Sequence, residues 1–252
     1  MEIYTVGNMS GVFARRPVII VAATVVLALM ATGTALALTT SPSTHVASLA
    51  SAGRSQAALE ITAGTPVLDV SIARLPGTLL RVSTPDDAPV KPVLSGSAPI
   101  VLSLTGSASS KPGTAYAVSV VLSSAVVWSL DFAGGTQRTQ ADLRGGQVGG
   151  IAVTAGSDIL QITLPRPAGT LPFLLAGGVT QFQLSLPSGV PARVTVGGGA
   201  SYVSVDDQDL TGVAGGTVLT PPGWASATSR FDIDATSGFS RLTVSRWATK
   251  GS

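Results

Sequence analysis

The sequence predicts an all-β fold of solenoid-like, stacked β-rungs of the toast-rack or single-stranded β-helix type, following one N-terminal transmembrane helix. Three observations predict it. Glycines recur at Gly135, Gly156, Gly178 and Gly199, at spacings of 21, 22 and 21 residues. Apolar residues alternate with period two around each of them, and no helical period follows residue 58. Before all of this runs an uncharged apolar stretch from Val18 to Leu38.

Each glycine serves as a zero point, with offsets −5, −3, +4, +6 and +8 read from it. The first unit gives Leu130, Phe132, Thr139, Ala141 and Leu143, and the second gives Ile151, Val153, Leu160, Ile162 and Leu164. The third gives Phe173, Leu175, Phe182, Leu184 and Leu186; the fourth gives Val194, Val196, Val203, Val205 and Asp207. Eighteen of these twenty positions are apolar, where a 45% apolar composition predicts nine. Period two on both sides of a glycine means two short strands joined at a bend. The glycine is expected to supply positive φ or a backbone approach that a Cβ would obstruct. Leu164-Pro165 and Leu186-Pro187 close the second strand, because proline gives no N–H to a ladder. A rung burying four or five side chains at roughly 1.5 to 3 kcal/mol each cannot order about 20 residues at about 1 to 2 kcal/mol apiece. The rungs must therefore fold together. A β-sandwich whose glycines mark hairpin turns is the competing reading, but it needs no constant period.

Taken in order, residues 1–17 form a short polar tail ending Arg15-Arg16-Pro17, expected in the cytoplasm. Residues 18–38 would extend about 31 Å as a helix, enough to span a hydrocarbon core of about 30 Å. A cleaved leader is the alternative, since Ala35-Leu36-Ala37 fits a small-x-small cleavage site. Residues 39–57, rich in Ser, Thr and Ala, read as a flexible linker that carries the only histidine, His45, in solvent. Residues 58–247 form the extracytoplasmic β-repeat domain, and 248–252 a tail. Strand patterns at Leu59–Thr62, Val67–Ile72, Leu79–Val82, Ile100–Leu104, Tyr116–Leu122 and Val126–Phe132 lead into the glycine units. After Asp207 a segment with Pro221-Pro222-Gly223-Trp224 interrupts the register, which resumes at Gly238 as an expected final rung, with Arg246 at +8 facing water.

Composition excludes several chemistries. Beyond residue 57 there are 12 basic and 12 acidic residues, so nothing marks a nucleic-acid surface. Cysteine is absent, which removes disulfides, thiolate metal sites and cysteine nucleophiles. Asp206, Asp207 and Asp209 are the one acidic cluster; lacking EF-hand spacing, they read as a solvated turn. Gly145-Gly146 and Gly197-Gly198-Gly199 lack the Lys-Ser/Thr of a phosphate loop. Serines have no histidine base within the domain. Asp131, Asp142, Asp158, Asp232 and Asp234 are scattered, with no evident glycosidase-like pair. No catalytic, cofactor-binding or metal residue is assigned, no cofactor is expected, and the chain reads as a non-enzyme. Trp128 is expected in the core, whereas Trp224 either packs over a rung end or anchors a partner. Trp247 is the third aromatic that matters for contacts.

The runs Trp128-Ser-Leu-Asp-Phe-Ala-Gly-Gly135, Ala141-Asp-Leu-Arg144, Val153-Thr-Ala-Gly156, Leu184-Ser-Leu-Pro-Ser-Gly-Val190 and Val194-Thr-Val-Gly-Gly-Gly199 resemble the toast-rack family of bacterial envelope domains. That family includes the C-terminal part of LiaF-type regulators and adhesin-like domains. The resemblance implies a stacked β domain used for interaction, with no catalytic residues to carry over. LiaF-type proteins resemble multi-span membrane proteins, whereas this chain has one apolar span. The expected protein is thus single-pass in the cell membrane, cytoplasmic at its N-terminus, and extracytoplasmic in its β domain. Its expected partners are the membrane and an envelope protein, without nucleic acid; a homo-oligomer is compatible with this reading.

Overall fold

A computed structural model describes residues 45–106 and 116–248. They contain nineteen strands and no helix. The expected cytoplasmic tail and membrane segment lie outside the described residues, as does all but the first residue of the C-terminal tail. No helix among the described residues is long and apolar enough to cross a membrane.

The strands are β1 (Val46–Ala50), β2 (Gln56–Ile61), β3 (Thr65–Ala73), β4 (Thr78–Ser83), β5 (Val90–Gly96), β6 (Ile100–Gly106) and β7 (Ala117–Ser123). Then come β8 (Val127–Phe132), β9 (Thr136–Asp142), β10 (Gln147–Val153), β11 (Ser157–Thr163), β12 (Thr170–Leu175) and β13 (Val179–Pro187). The last are β14 (Ala192–Val196), β15 (Ala200–Val205), β16 (Gln208–Val213), β17 (Thr217–Leu219), β18 (Arg230–Ala235) and β19 (Phe239–Trp247). They form two mixed sheets without barrel closure. One runs β1-β4-β7-β3-β9-β11-β13-β19-β15-β16, the other β17-β14-β18-β12-β10-β8-β2-β6-β5.

The glycine pattern explains this pairing. Each glycine unit places its first strand in one sheet and its second in the other, and like strands of neighbouring units pair in parallel. Equal spacing on both sides of the bend keeps equivalent positions in register: Leu160 lies between Thr139 and Phe182, and Ile151 between Leu130 and Phe173. The inward rows of the two sheets then meet in one core. Phe173 and Phe182, from one unit, stack at 5.2 Å between centroids. Trp128 is fully buried, as expected, and its indole N–H donates to the Ser123 carbonyl at 2.9 Å.

Stack order departs from sequence order at both ends. The Gly238 unit (β18, β19) lies between the Gly178 and Gly199 units, so it is not the final rung. Arg246 accordingly does not face water as a terminal residue; it reaches Asp206 of the Gly199 unit. At the other end β2 and β3 form a unit around Gly64, with Leu59, Ile61, Leu68, Val70 and Ile72 at the same five offsets. The strands β6 and β7 stack outside it. Antiparallel strands close the ends: β4 and β1 with β5 at one, β16 and β17 at the other. Pro92 in β5 and the brevity of β17 suit edge positions, which offer unpaired backbone groups to other chains.

Two further expectations from the sequence do not hold. The segment 39–57 is not linker throughout, because Val46–Ala50 pairs with β4 and places Ala47 and Leu49 in the core. His45 is buried rather than solvated. Thr84 Oγ1 donates to the Val90 carbonyl at 3.1 Å, so at 3.0 Å it accepts from the His45 Nδ1–H. The second correction concerns the bends. Gly199 has φ +82°, but Gly135, Gly156 and Gly178 do not have left-handed φ. A Cβ at Gly178 would meet nothing, and one at Gly135 only the Gly156 oxygen at 3.7 Å. At Gly156 a Cβ would crowd the Gly178 oxygen at 3.3 Å, as expected, but the hard overlaps fall one residue before the bend in the Gly135 and Gly178 units, where a Cβ on Gly134 or Gly177 would overlap the carbonyl of Ala63 or Ala155.

Candidate functional site

The bends line up along one side of the stack and open a groove of about 810 Å³. Gly64, Gly135, Gly156, Gly178 and Gly238 line it, because five consecutive units carry no side chain there. Hydroxyls beside the glycines turn back into the fold. Thr136 Oγ1 donates to Ser157 Oγ at 2.9 Å, Ser157 to the Ile159 carbonyl at 3.1 Å, and Thr65 to the Val67 carbonyl at 3.2 Å. The glycine carbonyls accept along the stack, as in Thr136 N–H to Gly156 O at 3.1 Å. Asp158 is the one titratable lining residue, so the groove offers surface and no acid–base pair.

The acidic cluster does not converge on a point. Asp206 opens the β15–β16 turn at φ +53°, a conformation that Asp and Asn tolerate better than most residues. Its carboxylate accepts from Arg246 Nε at 2.6 Å and Nη2 at 2.8 Å, while Arg246 Nη1 donates to the Val190 carbonyl at 2.7 Å. Asp209 instead accepts from the Tyr202 hydroxyl at 2.7 Å. Hydrogen bonding from Ser204 and Tyr202 holds Asp209 below the usual carboxylate range. Among the described residues no group of three His, Asp or Glu side chains is arranged to hold a metal. The expected solvated turn is thus partly a charged clasp between two units, beside a cleft of about 860 Å³ that reaches Pro191, Pro222 and Gly223.

Hydrogen bonding from Arg246 lowers the Asp206 pKa. A carboxylate depressed in the folded state stabilises it above the unfolded pKa of about 3.9, and that contribution fades as pH falls through the folded value. Asp206→Asn keeps the turn conformation, so it should cost about 1 kcal/mol or less at pH 7, given a partly exposed pair. The difference from the parent should shrink in melts as pH falls below the unfolded pKa and through the lower folded one. A loss that persists undiminished there would show that the pair does not act through charge.

Trp224 is half-buried over β14 and β18 and is not a free aromatic. The Arg193 guanidinium lies 3.9 Å from its ring centroid and that of Arg230 4.6 Å, while its N–H donates to the Phe231 carbonyl at 2.7 Å. Arg193 also holds Asp232 at 2.9 and 2.7 Å. Trp247 donates to the Leu164 carbonyl at 3.2 Å beneath Arg144, which is bonded to Asp142. Both rings therefore serve the fold, Trp224 through two guanidinium contacts and Trp247 through one, each worth about 0.5 to 2 kcal/mol.

The outer faces of the sheets carry what remains. On the β9 sheet one outward row reads Val67, Arg138, Ile159, Gln181, Arg241, Tyr202 across successive units. Beside it Gln161 donates to Gln183 at 2.8 Å. On the β8 sheet the matching outward row reads Glu60, Asp131, Ala152, Leu174, Asp234, Thr195. The acidic residues are scattered in sequence, yet register sets Glu60 beside Asp131, which also accepts from Thr154 at 3.0 Å. Leu174, at 38% exposure, stands in the same row. The signal for both rows was present in the offsets −4 and +3 from each glycine.

No protein-family profile matches the chain, and no curated protein matches it in sequence. In structure it is similar to a crystallised protein from Clostridium sporogenes ATCC 15579, provisionally named a cell adhesion protein. The likeness has a TM-score of 0.55 at 11% identity, over 79% of this chain and 97% of that one. A protein from Bacteroides fragilis NCTC 9343, provisionally named an adhesin, covers 79% of this chain and 96% of its own at 9% identity, with a TM-score of only 0.23. At such identity the Clostridium likeness speaks for the fold alone, an all-β domain.

Proposed function

We propose that this chain is a membrane-anchored, extracytoplasmic β domain of the bacterial cell envelope that works through contacts, in an adhesion-like or envelope-stress role, and not through catalysis. Its finer class is the solenoid-like stack of the toast-rack type, which the parallel pairing of glycine units supports. One observation carries the functional reading. Sheets dominated by parallel pairs ordinarily have both faces covered by helices, yet among the described residues two such sheets cover only each other, leaving two broad outer faces of mostly polar and small residues. Regular, solvated faces of this kind suit binding to another surface. The adhesion naming of the Clostridium protein agrees with that use.

The test is topological. Full-length protein should remain with membranes through a carbonate wash, keep its N-terminus, and be cut by protease added to intact cells. A mature N-terminus at Leu38 would replace the anchored reading with a secreted structural or adhesive protein. Protection from external protease until cells are permeabilised would overturn the extracytoplasmic placement.

A further inference from the structure

We propose that the two outer faces are complementary to each other, so that copies of this chain associate face to back: the β9–β11–β13–β19 face of one copy on the β8–β10–β12–β18 face of the next.

The complementarity follows from the repeat. Within the Gly135 unit Asp131 lies four residues before the bend and Arg138 three after it; within the Gly238 unit Asp234 and Arg241 hold the same two offsets. At about 3.3 Å per residue all four stand roughly 10 to 13 Å from the bends, on opposite faces. The units stack in the same order in both sheets, so along the stack the two arginines are separated by the same three strand spacings, about 14 Å, as the two aspartates. A simple translation across the sheets therefore sets Arg138 opposite Asp131 and Arg241 opposite Asp234 at once. Between these pairs the same translation lays Ile159 and its neighbours over the exposed Leu174 and Ala152.

None of these four charges has an ion-pair partner among the described residues. Arg241 is already steadied at 4.4 Å over the Tyr202 ring, which reduces the side-chain freedom lost on pairing. The alternatives are disfavoured by sign. A two-fold dimer centred on the Arg138–Arg241 row would oppose arginine to arginine, and one centred on the Asp131–Asp234 row would oppose aspartate to aspartate, where like charges at an interface cost affinity. At about 4.8 Å per strand and six residues at 3.3 Å, the four strands named on each face give roughly 400 Å² and the seven parallel strands of a whole sheet roughly 700 Å², the latter on the order of the 800 Å² per partner in a standard interface. A face-to-back contact is heterologous, so it continues from copy to copy unless a rotation closes it. Polar and salt-screened, it should be weak for one pair and effective for many copies on a surface.

Charge exchange tests this on the full-length protein in detergent by sedimentation velocity. The parent should gain mass with concentration, less so in high salt. R138E/R241E and D131R/D234R should each weaken association at least tenfold without moving the melting temperature by more than a few degrees. An equimolar mixture of the two double variants should regain it, because the reversed faces complement each other and the native faces remain complementary. Should either reversal disturb folding, R138Q/R241Q should still weaken association about threefold or more. A parent that stays monomeric, double variants that associate like the parent, through the N-terminal segment or otherwise, or a mixture that stays dispersed would each overturn the proposal. The contact is scored without reference to membrane fractionation, so its failure leaves the envelope reading standing, and the reverse holds too.

Discussion

Leu184→Asp is expected to cost at least about 4 kcal/mol, enough to lower the melting temperature by 10 °C or more or to prevent folding. Leu184 is fully buried in β13, at the +6 position, with Ile162 and Val244 as its register partners on either side. An aspartate there loses the leucine's burial, worth about 2 to 5 kcal/mol when truncated, and it must either ionise without a partner or take up a proton in an apolar wall. The next residue, Ser185, points outward and shares a 2.8 Å hydroxyl contact with Ser245. Ser185→Asp removes that contact but keeps a solvated side chain, so about 0.5 kcal/mol is expected. Circular dichroism melts of the two variants decide it. Equal losses would mean that the outer face of β13 is covered in solution, and the two-sided exposure on which the proposed function rests would fall.

Much of this core was legible because burial in a parallel stack repeats with the period of the chain. Residues such as Leu160, Phe182 and Val203 announce themselves by position alone, since a one-residue slip would turn every side chain to the wrong face. The Gly64 unit obeys the same offsets but was hidden: β4 to β7 lie between it and Gly135, so the constant interval is broken. Stack order was hidden for a different reason. The Gly199 and Gly238 units present nearly the same apolar pattern, and periodicity cannot say which of them sits against β12 and β13. Charge distinguishes them, because Arg193 meets Asp232 and Arg246 meets Asp206 only when the Gly238 unit lies next to the Gly199 unit. Similarly, β1 is not legible in the sequence, because Val46-Ala-Ser-Leu-Ala50 has the composition of a linker and becomes a strand only through β4. At the surface, register revealed what spacing did not: residues far apart in sequence, such as Glu60 and Asp131, become neighbours only once the pairing is known.

Adjacent glycines should respond in opposite ways. The repeat singles out Gly178, and a sequence argument assigns the backbone requirement to it. Yet Gly178 has no left-handed φ, and a Cβ built on it meets open groove. Gly177 is the buried one: its N–H donates to the Val153 carbonyl at 2.9 Å, its carbonyl accepts from Ser237 at 2.6 Å, and a Cβ would overlap the Ala155 carbonyl. Gly177→Ala must therefore push apart two units held by backbone hydrogen bonds, at a cost of roughly 3 kcal/mol, or a fall of about 6 to 12 °C in melting temperature. Gly178→Ala meets no obstacle and narrows the unfolded ensemble, so it should leave stability unchanged or raise it by up to about 1 kcal/mol. If Gly178→Ala proved as damaging as Gly177→Ala, the bend would need glycine's conformational range at the zero position, and the groove would be a by-product of that need. If only Gly177→Ala is damaging, the row of bare bends is something the fold tolerates without requiring. The groove could then be narrowed by Gly135→Ala and Gly178→Ala together in an otherwise intact domain, separating what the bends do for stability from what they expose.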